Sequence, residues 1–245
     1  MEKIAVVTGA NKGVGLEICR QLSSNGVTVI LTTRDDNRGR EAVKTLHESG
    51  FSDVVFHQLD LMDPSSIGSL ANFINTQFHK LDILVNNAGV SGIIADAEAF
   101  TSLLNLSINE ILGAKADMEK QVLKQTTGET DHEVCLRTNY YGTKQVTQAF
   151  IPLLLQSHSP RIVNVSSTLG QLQFLSNEKA KDVLSNVDDR TEEKIDQVVK
   201  RFLEDAKEGL LENNGWPVNF SAYVVSKAAL NAYTRILAKK IPKIS

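Results

Sequence analysis

Short apolar runs alternate with amphipathic segments along the first two thirds of the chain. The apolar runs, rich in valine, isoleucine and leucine, predict buried strands at residues 4–8, 27–33, 54–59, 81–86 and 161–166. The segments between them predict helices at 16–24, 38–49, from 63 onward, and between 130 and about 155. Such apolar strands, joined by helical crossovers, predict an α/β fold whose parallel sheet is covered on both faces.

Residues at the ends of these segments support the predicted helices. Asp63-Pro64 offers an N-cap acid followed by proline at the first helical position, and Asn25-Gly26 is a stop signal. Thr130-x-x-Glu133 is a capping-box pattern ahead of the long fourth helix. Two more helices are predicted at 191–213 and 220–240. The first carries an apolar stripe that is more typical of packing than of ligand binding, at Ile195, Val198, Val199, Phe202 and Leu203.

Composition excludes several classes of partner and location. The chain has 245 residues and a net charge of −3, so no basic field draws it to nucleic acid or to anionic membranes. No signal peptide precedes the first strand, and no apolar run reaches the roughly 20 residues that span a bilayer. We therefore expect one cytoplasmic domain over residues 1–245, with no metal. Cys19 and Cys135, too few for a disulfide framework, are predicted to be buried thiols.

The stretch TGANKGVG, residues 8–15, follows the first strand and opens the first helix. Glycine is needed where φ is positive or where a phosphate must approach the backbone closely, and Gly9, Gly13 and Gly15 occupy such places. Taken alone, the glycines fit a ligand-free turn almost as well as a phosphate cradle. The position favours the cradle, because dinucleotides usually bind at the first βα turn of a doubly wound sheet.

Four motifs in order carry a family resemblance: T-G-x-x-x-G-x-G at 8–15, N-N-A-G at 86–89, Ser167 after the fifth strand, and Tyr223-x-x-x-Lys227. From residue 3 to about 245 the chain resembles the short-chain dehydrogenase/reductase family. Members of that family have the same T-G-x-x-x-G-x-G spacing at the first turn. The stretches NKGVGLEICRQLSSNG, LDILVNNAGV and RIVNVSS make it similar to monomeric plant ketone reductases and animal carbonyl reductases of that family. The resemblance implies a Rossmann-type doubly wound sheet and a monomer that reduces a small ketone or aldehyde.

The same resemblance implies where a nicotinamide cofactor binds. Residues matching Asp60 and Leu61 line the adenine pocket in the family, and those matching Asn87, Ala88 and Gly89 pack along the adenosine. The resemblance also implies that Tyr223 and Lys227 contact the nicotinamide end. The remaining predicted cofactor contacts belong to the glycine-rich turn: Gly9, Asn11, Lys12, Gly13, Val14 and Gly15.

Charges after the second strand favour NADPH as the cofactor. A carboxylate there would hold a ribose 2′-hydroxyl, whereas cations hold a 2′-phosphate. Arg34 and Arg38, with Lys12 from the glycine-rich turn, supply such cations. Asp35 and Asp36 leave another interpretation open, since either could pair with an arginine instead.

Tyr223 and Lys227 lie one helical turn apart, so they share a face if 220–240 is helical. A phenol needs help to exchange protons near neutral pH, and an adjacent ammonium can lower its pKa and also reach the nicotinamide ribose. The resemblance implies that Ser167 hydrogen-bonds the substrate carbonyl and that Asn139 holds a water in a proton relay with the lysine. Ser166 competes with Ser167, which we prefer because it precedes Thr168-Leu169-Gly170, as the family's x-x-Gly requires.

Two departures from the minimal family pattern bear on the substrate. Residues 91–129 and 171–220 are longer than the corresponding family loops, and we expect them to form helical inserts around a large apolar ketone pocket. Relatives with the first insert use it as a flap that also covers the dimerisation face.

The C-terminal end bears on activity. The family continues beyond the position of Ser245 with a sixth and a seventh strand, so we expect a sheet without the last two strands. A weakly active or inactive cofactor-binding form is therefore one alternative. Reduction of an enone C=C bond is another, disfavoured because Tyr223 suits protonation of oxygen.

Overall fold

The computed structural model describes residues 2–91, 131–185, 191–217 and 219–244. Five parallel strands form one sheet in the order β3-β2-β1-β4-β5. This order confirms the predicted doubly wound sheet, in which the chain starts at the centre, fills one side and then crosses to the other. The strands are β1 (Lys3–Val7), β2 (Val27–Thr33), β3 (Val54–Gln58), β4 (Ile83–Asn86) and β5 (Arg161–Asn164).

Eight α-helices lie within the described ranges. They are α1 (Gly13–Ser24), α2 (Asp36–Glu48), α3 (Pro64–Phe78), α4 (Asp131–Leu136), α5 (Thr143–Leu154), α6 (Glu178–Ser185), α7 (Glu192–Lys207) and α8 (Ser221–Lys240). A π-helical segment, Arg137–Gly142, joins α4 to α5, and two 3₁₀ turns follow β5 at Thr168–Gly170 and Leu172–Phe174. None of these helices combines the length and the apolar character needed to cross a bilayer.

Most predicted elements are confirmed within a few residues, and the differences have local causes. Helix α2 begins at Asp36, two residues earlier than predicted, because the Asp35 carboxylate caps it by accepting the Arg38 N–H at 2.9 Å. The predicted helix over 191–213 ends at Lys207, because Gly209 turns the chain with a φ of +71°. The capping residue Thr130 lies outside the described residues.

The described residues fall into two compact units, of which the first holds the sheet: residues 1–89, 138–165 and 237–245. Alternate residues of β1 point to opposite faces and enter different buried clusters. Ile4 and Val6 pack with α3 and α5, whereas Ala5 and Val7 pack with α1 and α2. Helices therefore cover both faces of the sheet, as predicted.

The second unit comprises residues 90–137 and 166–236 and contains the described part of the predicted 171–220 insert. Helix α7 buries Ile195, Val199 and Phe202, which confirms its apolar stripe as a packing surface. The Phe202 ring makes edge contacts with Trp216, at 5.1 Å between centroids, and with His132, at 5.8 Å. The prediction of one domain over 1–245 is not tested by this division and stays a prediction.

Candidate active site

In the first unit, a hydrogen-bond network joins the glycine-rich turn to the N-N-A-G motif. Parallel pairing of β1 with β4 brings the turns that follow the two strands to the same edge of the sheet. The Thr8 hydroxyl accepts the N–H groups of Asn87 and Ala88, each at 3.0 Å. The Asn87 amide in turn donates to the carbonyl oxygens of Thr8 and Gly9, at 2.9 and 3.0 Å. The two motifs therefore fix each other's backbone.

Glycine is required at the three positions of the turn for two physical reasons. A Cβ on Gly9 would lie 2.7 Å from the Ala88 Cα, and one on Gly15 would lie 2.4 Å from the Asn87 Nδ2. Both glycines are thus required by close packing against the N-N-A-G motif. Gly13 has a φ of +57° and open space where its Cβ would be, so the conformation of the turn requires it.

The start of α1 fits an anionic ligand. Lys12 is its N-cap residue and makes no side-chain capping bond, and the first turn of α1 has no acidic residue. The backbone N–H groups of a first helical turn have no partners within the helix, and they carry partial positive charge. A pyrophosphate suits such a position, and Asn11, Val14 and Lys12 flank it with partly or fully exposed side chains.

Of the cations predicted to hold a 2′-phosphate, Arg34 is the most available. It is exposed, and its guanidinium forms no ion pair or hydrogen bond with any described residue. Arg38 approaches Asp35 at 3.7 Å, and Asp36 pairs with Arg40 at 2.6 Å. Both acids that left the cofactor prediction open are thus turned toward arginines of α2.

The two residues predicted to line an adenine pocket differ in their surroundings. The Asp60 carboxylate accepts the Met62 N–H at 2.9 Å and so shapes the turn after β3. The Leu61 side chain is buried in the cluster that α3 and α5 form with the sheet. A cofactor would therefore meet the backbone of Leu61 rather than its side chain.

The second unit brings the predicted serine and tyrosine together. The Ser167 hydroxyl is hydrogen-bonded to the Tyr223 phenol. Ser167 Oγ also accepts the Leu169 N–H at 3.2 Å, so the backbone positions this hydroxyl beside Tyr223. Ser166 Oγ is buried and has no hydrogen-bond partner among the described residues. Of the two candidate serines, Ser167 is thus the one that contacts the tyrosine.

Lys227 lies one turn after Tyr223 on α8, with its Nζ 5.8 Å from the Tyr223 ring centre. Its side chain is only 4% exposed, and this burial lowers its pKa. Burial also raises the pKa of Tyr223 above its usual 10.0, and the hydrogen bond with Ser167 offsets part of that rise. The prediction that the Lys227 ammonium lowers the pKa of Tyr223 is therefore not confirmed. Burial raises that pKa, and the smaller lowering effect comes from Ser167.

Asn139 lies at the centre of the π-helical segment and is fully buried. A π segment inside a helix widens the turn and often marks a functional position. Asn139 belongs to the first unit and the other three predicted catalytic residues belong to the second, so the proposed relay with Lys227 stays a prediction. Most of the predicted 91–129 flap lies outside the described residues, as do residues 186–190 and 218 of the second insert.

Sequence reasoning missed Asn231, which helps to hold the site in shape, and used Gly170 only as a marker for Ser167. Asn231 donates from Nδ2 to the Gly170 carbonyl oxygen at 3.0 Å, and a Cβ on Gly170 would lie 2.8 Å from the Lys227 Cβ. Gly170 was available as part of the x-x-Gly pattern that selects Ser167. Asn231 has no local signal beyond its spacing of four residues from Lys227.

Comparison with known proteins places these features among enzymes. The profile of the family described as short chain dehydrogenase matches residues 3–179. The chain is 55% identical over 244 residues to (+)-neomenthol dehydrogenase of Arabidopsis thaliana, covering 98% of this chain and 79% of that protein. It is 35% identical over 241 residues to carbonyl reductase (NADPH) 1 of Rattus norvegicus, covering 97% and 74%. The solved structure of salutaridine reductase from Papaver somniferum matches with a TM-score of 0.90 and 51% identity, covering 100% of this chain and 84% of that one.

Proposed function

The chain belongs to the short-chain dehydrogenase family of oxidoreductases, and we propose that it reduces a cyclic ketone to a secondary alcohol with NADPH. The observation that carries this proposal is the hydrogen bond between Ser167 and Tyr223. This bond places two hydroxyl groups side by side, so that both can hydrogen-bond to the same carbonyl oxygen of a substrate.

In the proposed reaction, Tyr223 is the general acid. As the carbonyl carbon gains a hydride, its oxygen gains negative charge, and the phenol gives that oxygen its proton. Ser167 donates its single hydroxyl proton to that oxygen in a hydrogen bond and so stabilises the developing charge. Lys227, a buried cation on the same helix face, stabilises the phenolate until a proton returns from solvent.

The cofactor is proposed to bind the first unit. When bound, a reduced nicotinamide supplies the hydride. The first turn of α1 would hold the pyrophosphate through backbone N–H groups. The close packing of Gly9 and Gly15 against the N-N-A-G motif fixes that turn in place.

The preference for NADPH over NADH rests on Arg34. An exposed guanidinium that has no partner among the described residues can bind a 2′-phosphate through two hydrogen bonds. Lys12 adds a second exposed cation, whereas the nearby acids Asp35 and Asp36 are paired with arginines. The rat carbonyl reductase, a relative with NADPH in its name, supports the same choice.

The substrate class rests on the relatives. Their names refer to neomenthol, a cyclic terpenoid alcohol, and to salutaridine, an alkaloid. We propose a cyclic terpenoid or alkaloid ketone of similar size for this chain. The same enzyme would oxidise the corresponding alcohol with NADP⁺.

The test uses the purified 245-residue chain with NADPH and a panel of cyclic ketones that includes menthone. We expect ketone-dependent oxidation of NADPH, with the secondary alcohol as product, and its loss in Tyr223→Phe while NADPH still binds. Tight binding of NADPH without turnover of any ketone would favour the alternative of an inactive cofactor-binding form. A saturated ketone formed from an enone would favour C=C reduction.

A further inference from the structure

The turn that carries Ser167 is held against α8 by a contact outside the four predicted catalytic residues. Asn231 lies one helical turn after Lys227 and two turns after Tyr223, on the same face of α8. Its Nδ2 donates to the Gly170 carbonyl oxygen at 3.0 Å. This bond joins residues that are 61 positions apart in the chain.

The turn at Thr168–Gly170 packs so closely against α8 that only glycine fits at position 170. Gly170 is buried, and a Cβ there would lie 2.8 Å from the Lys227 Cβ and 3.0 Å from the Asn231 Nδ2. Real Cβ atoms are not found at the shorter of these distances, so the backbone of the turn rests directly on the helix. The hydrogen bond from Asn231 fixes where along the helix it rests.

Backbone hydrogen bonds within the turn link the position of Gly170 to that of Ser167. The Gly170 N–H donates to the Ser167 carbonyl oxygen at 3.0 Å, and the Leu169 N–H donates to Ser167 Oγ at 3.2 Å. The turn is therefore rigid from Gly170 back to Ser167. A shift at Gly170 moves Ser167 Oγ relative to the Tyr223 phenol.

We propose that Asn231 is a positioning residue that holds Ser167 in hydrogen-bond contact with Tyr223 through the Gly170 carbonyl. This inference rests on the proposed function, because it assigns Asn231 to the same reaction. Asn231 Nδ2 donates to the turn that carries Ser167, so we expect its effect on turnover to pass through Ser167. Among the described residues, Lys227 on the same helix lies over the Tyr223 ring, and Cys135 on α4 acts on the pKa of Tyr223.

The test compares Asn231→Leu with a matched control, Asn177→Leu. Asn177 also donates from Nδ2 to a distant backbone oxygen of the second unit, that of Asn214, at 2.7 Å. It lies outside the turn that carries Ser167. Both variants lose such a bond and gain a leucine. Asn177→Leu also loses the bond in which Asn177 Oδ1 accepts the Ala180 N–H at 2.9 Å, so it should loosen the unit at least as much as Asn231→Leu. Asn231→Ala is a second variant that retains no bulky side chain, should leucine prevent folding.

Two readouts separate positioning from a structural role. We expect Asn231→Leu to lower kcat about tenfold to 100-fold, since small displacements of catalytic groups have effects of that size, with the NADPH dissociation constant unchanged. Carbon NMR of ring-labelled tyrosine should show the pKa of Tyr223 rising, as in Ser167→Ala. Combining Ser167→Ala with Asn231→Leu should add little to either effect.

The proposal is overturned if the two substitutions are additive, if Asn177→Leu lowers kcat equally, or if the pKa of Tyr223 is unchanged in both Asn231 variants. The tyrosine titration needs no substrate. If the chain reduces no ketone, the proposed function fails, but a pKa of Tyr223 that responds to Asn231 still supports the positioning role.

Discussion

Ser167 Oγ accepts the Leu169 N–H at 3.2 Å, and the same hydroxyl is hydrogen-bonded to the Tyr223 phenol. The backbone thereby orients the serine hydroxyl, and its bond with the tyrosine favours the ionised form of the phenol. This relationship separates Ser167 from its neighbour Ser166, whose hydroxyl is buried without a partner among the described residues.

Replacement of these two serines should have unequal effects on turnover. Ser167→Ala removes the hydroxyl that stabilises charge on the carbonyl oxygen, so we expect kcat to fall by about 100-fold or more. Ser166→Ala removes a buried hydroxyl without a described partner and should leave kcat within about twofold, with stability unchanged or higher. Initial rates with NADPH and a saturating ketone measure both. Equal losses in the two variants would refute the assignment of Ser167.

The reaction should depend on pH in opposite ways in its two directions. Burial raises the pKa of Tyr223 above 10.0, and Ser167 offsets only part of this. Ketone reduction needs the protonated phenol, so kcat should stay level through neutral and mildly alkaline pH and fall only above a pH of about 10. Alcohol oxidation needs the phenolate and should rise with pH over the same range. A fall in the reduction rate centred near neutrality would contradict this account.

Arg34→Ala should reduce the preference for NADPH. Loss of a charge-assisted contact with the 2′-phosphate should raise the NADPH dissociation constant about tenfold to 100-fold and leave that of NADH unchanged. Arg40→Ala is the matched control, because Arg40 is equally exposed near the start of α2 but is paired with Asp36. Fluorescence titration of Trp216 with each cofactor provides the measurement. An equal weakening in both variants would mean that Arg34 acts only through net charge.

Two helical glycines should respond to alanine in opposite directions. A Cβ on Gly39 in α2 would lie 2.0 Å from the Phe56 ring, so Gly39→Ala should destabilise the protein by about 1–3 kcal/mol through overpacking. Gly68 in α3 has open space, and Gly68→Ala should stabilise by about 0.5–1 kcal/mol because alanine favours the helix. Urea unfolding of both variants measures the difference. Destabilisation by Gly68→Ala would show that the helix surface is not open there.

Both cysteines should be unreactive in the folded protein. Burial raises the pKa of Cys19 to about 12 and that of Cys135 to about 11, so almost no thiolate exists at neutral pH. Ellman's reagent should therefore detect no thiol before unfolding and two thiols in denaturant. Fast labelling of Cys135 under native conditions would indicate that α4 opens readily.

The fold could be predicted from the sequence because its strongest signals are local. The apolar strands, the Asp63-Pro64 helix start and the Gly26 stop each depend on a few adjacent residues. The π-helical segment at Arg137–Gly142 could not be predicted, since its residues fit the periodicity of an ordinary helix. The 3₁₀ turns after β5 are likewise too short to leave a periodic pattern.

The candidate site was predictable where a family motif marks it and obscure where distant residues cooperate. Spacing alone placed Tyr223 and Lys227 on one helix face. The bonds from Asn87 to Thr8 and Gly9, however, join residues 78 or more positions apart, and no local sequence pattern predicts them. The x-x-Gly pattern selected Ser167 over Ser166, but its hydrogen bond with Tyr223, 56 positions away, has no local signal.

The central claim is that this chain delivers hydride to a carbonyl carbon while Tyr223 protonates the oxygen. Its most direct test is turnover of a cyclic enone and its saturated ketone with NADPH carrying deuterium at the transferable position, followed by mass spectrometry of the products. We expect deuterium on the carbinol carbon in the wild-type product and none in that of Tyr223→Phe. Deuterium at the carbon β to an intact carbonyl, or full labelling by Tyr223→Phe, would contradict it.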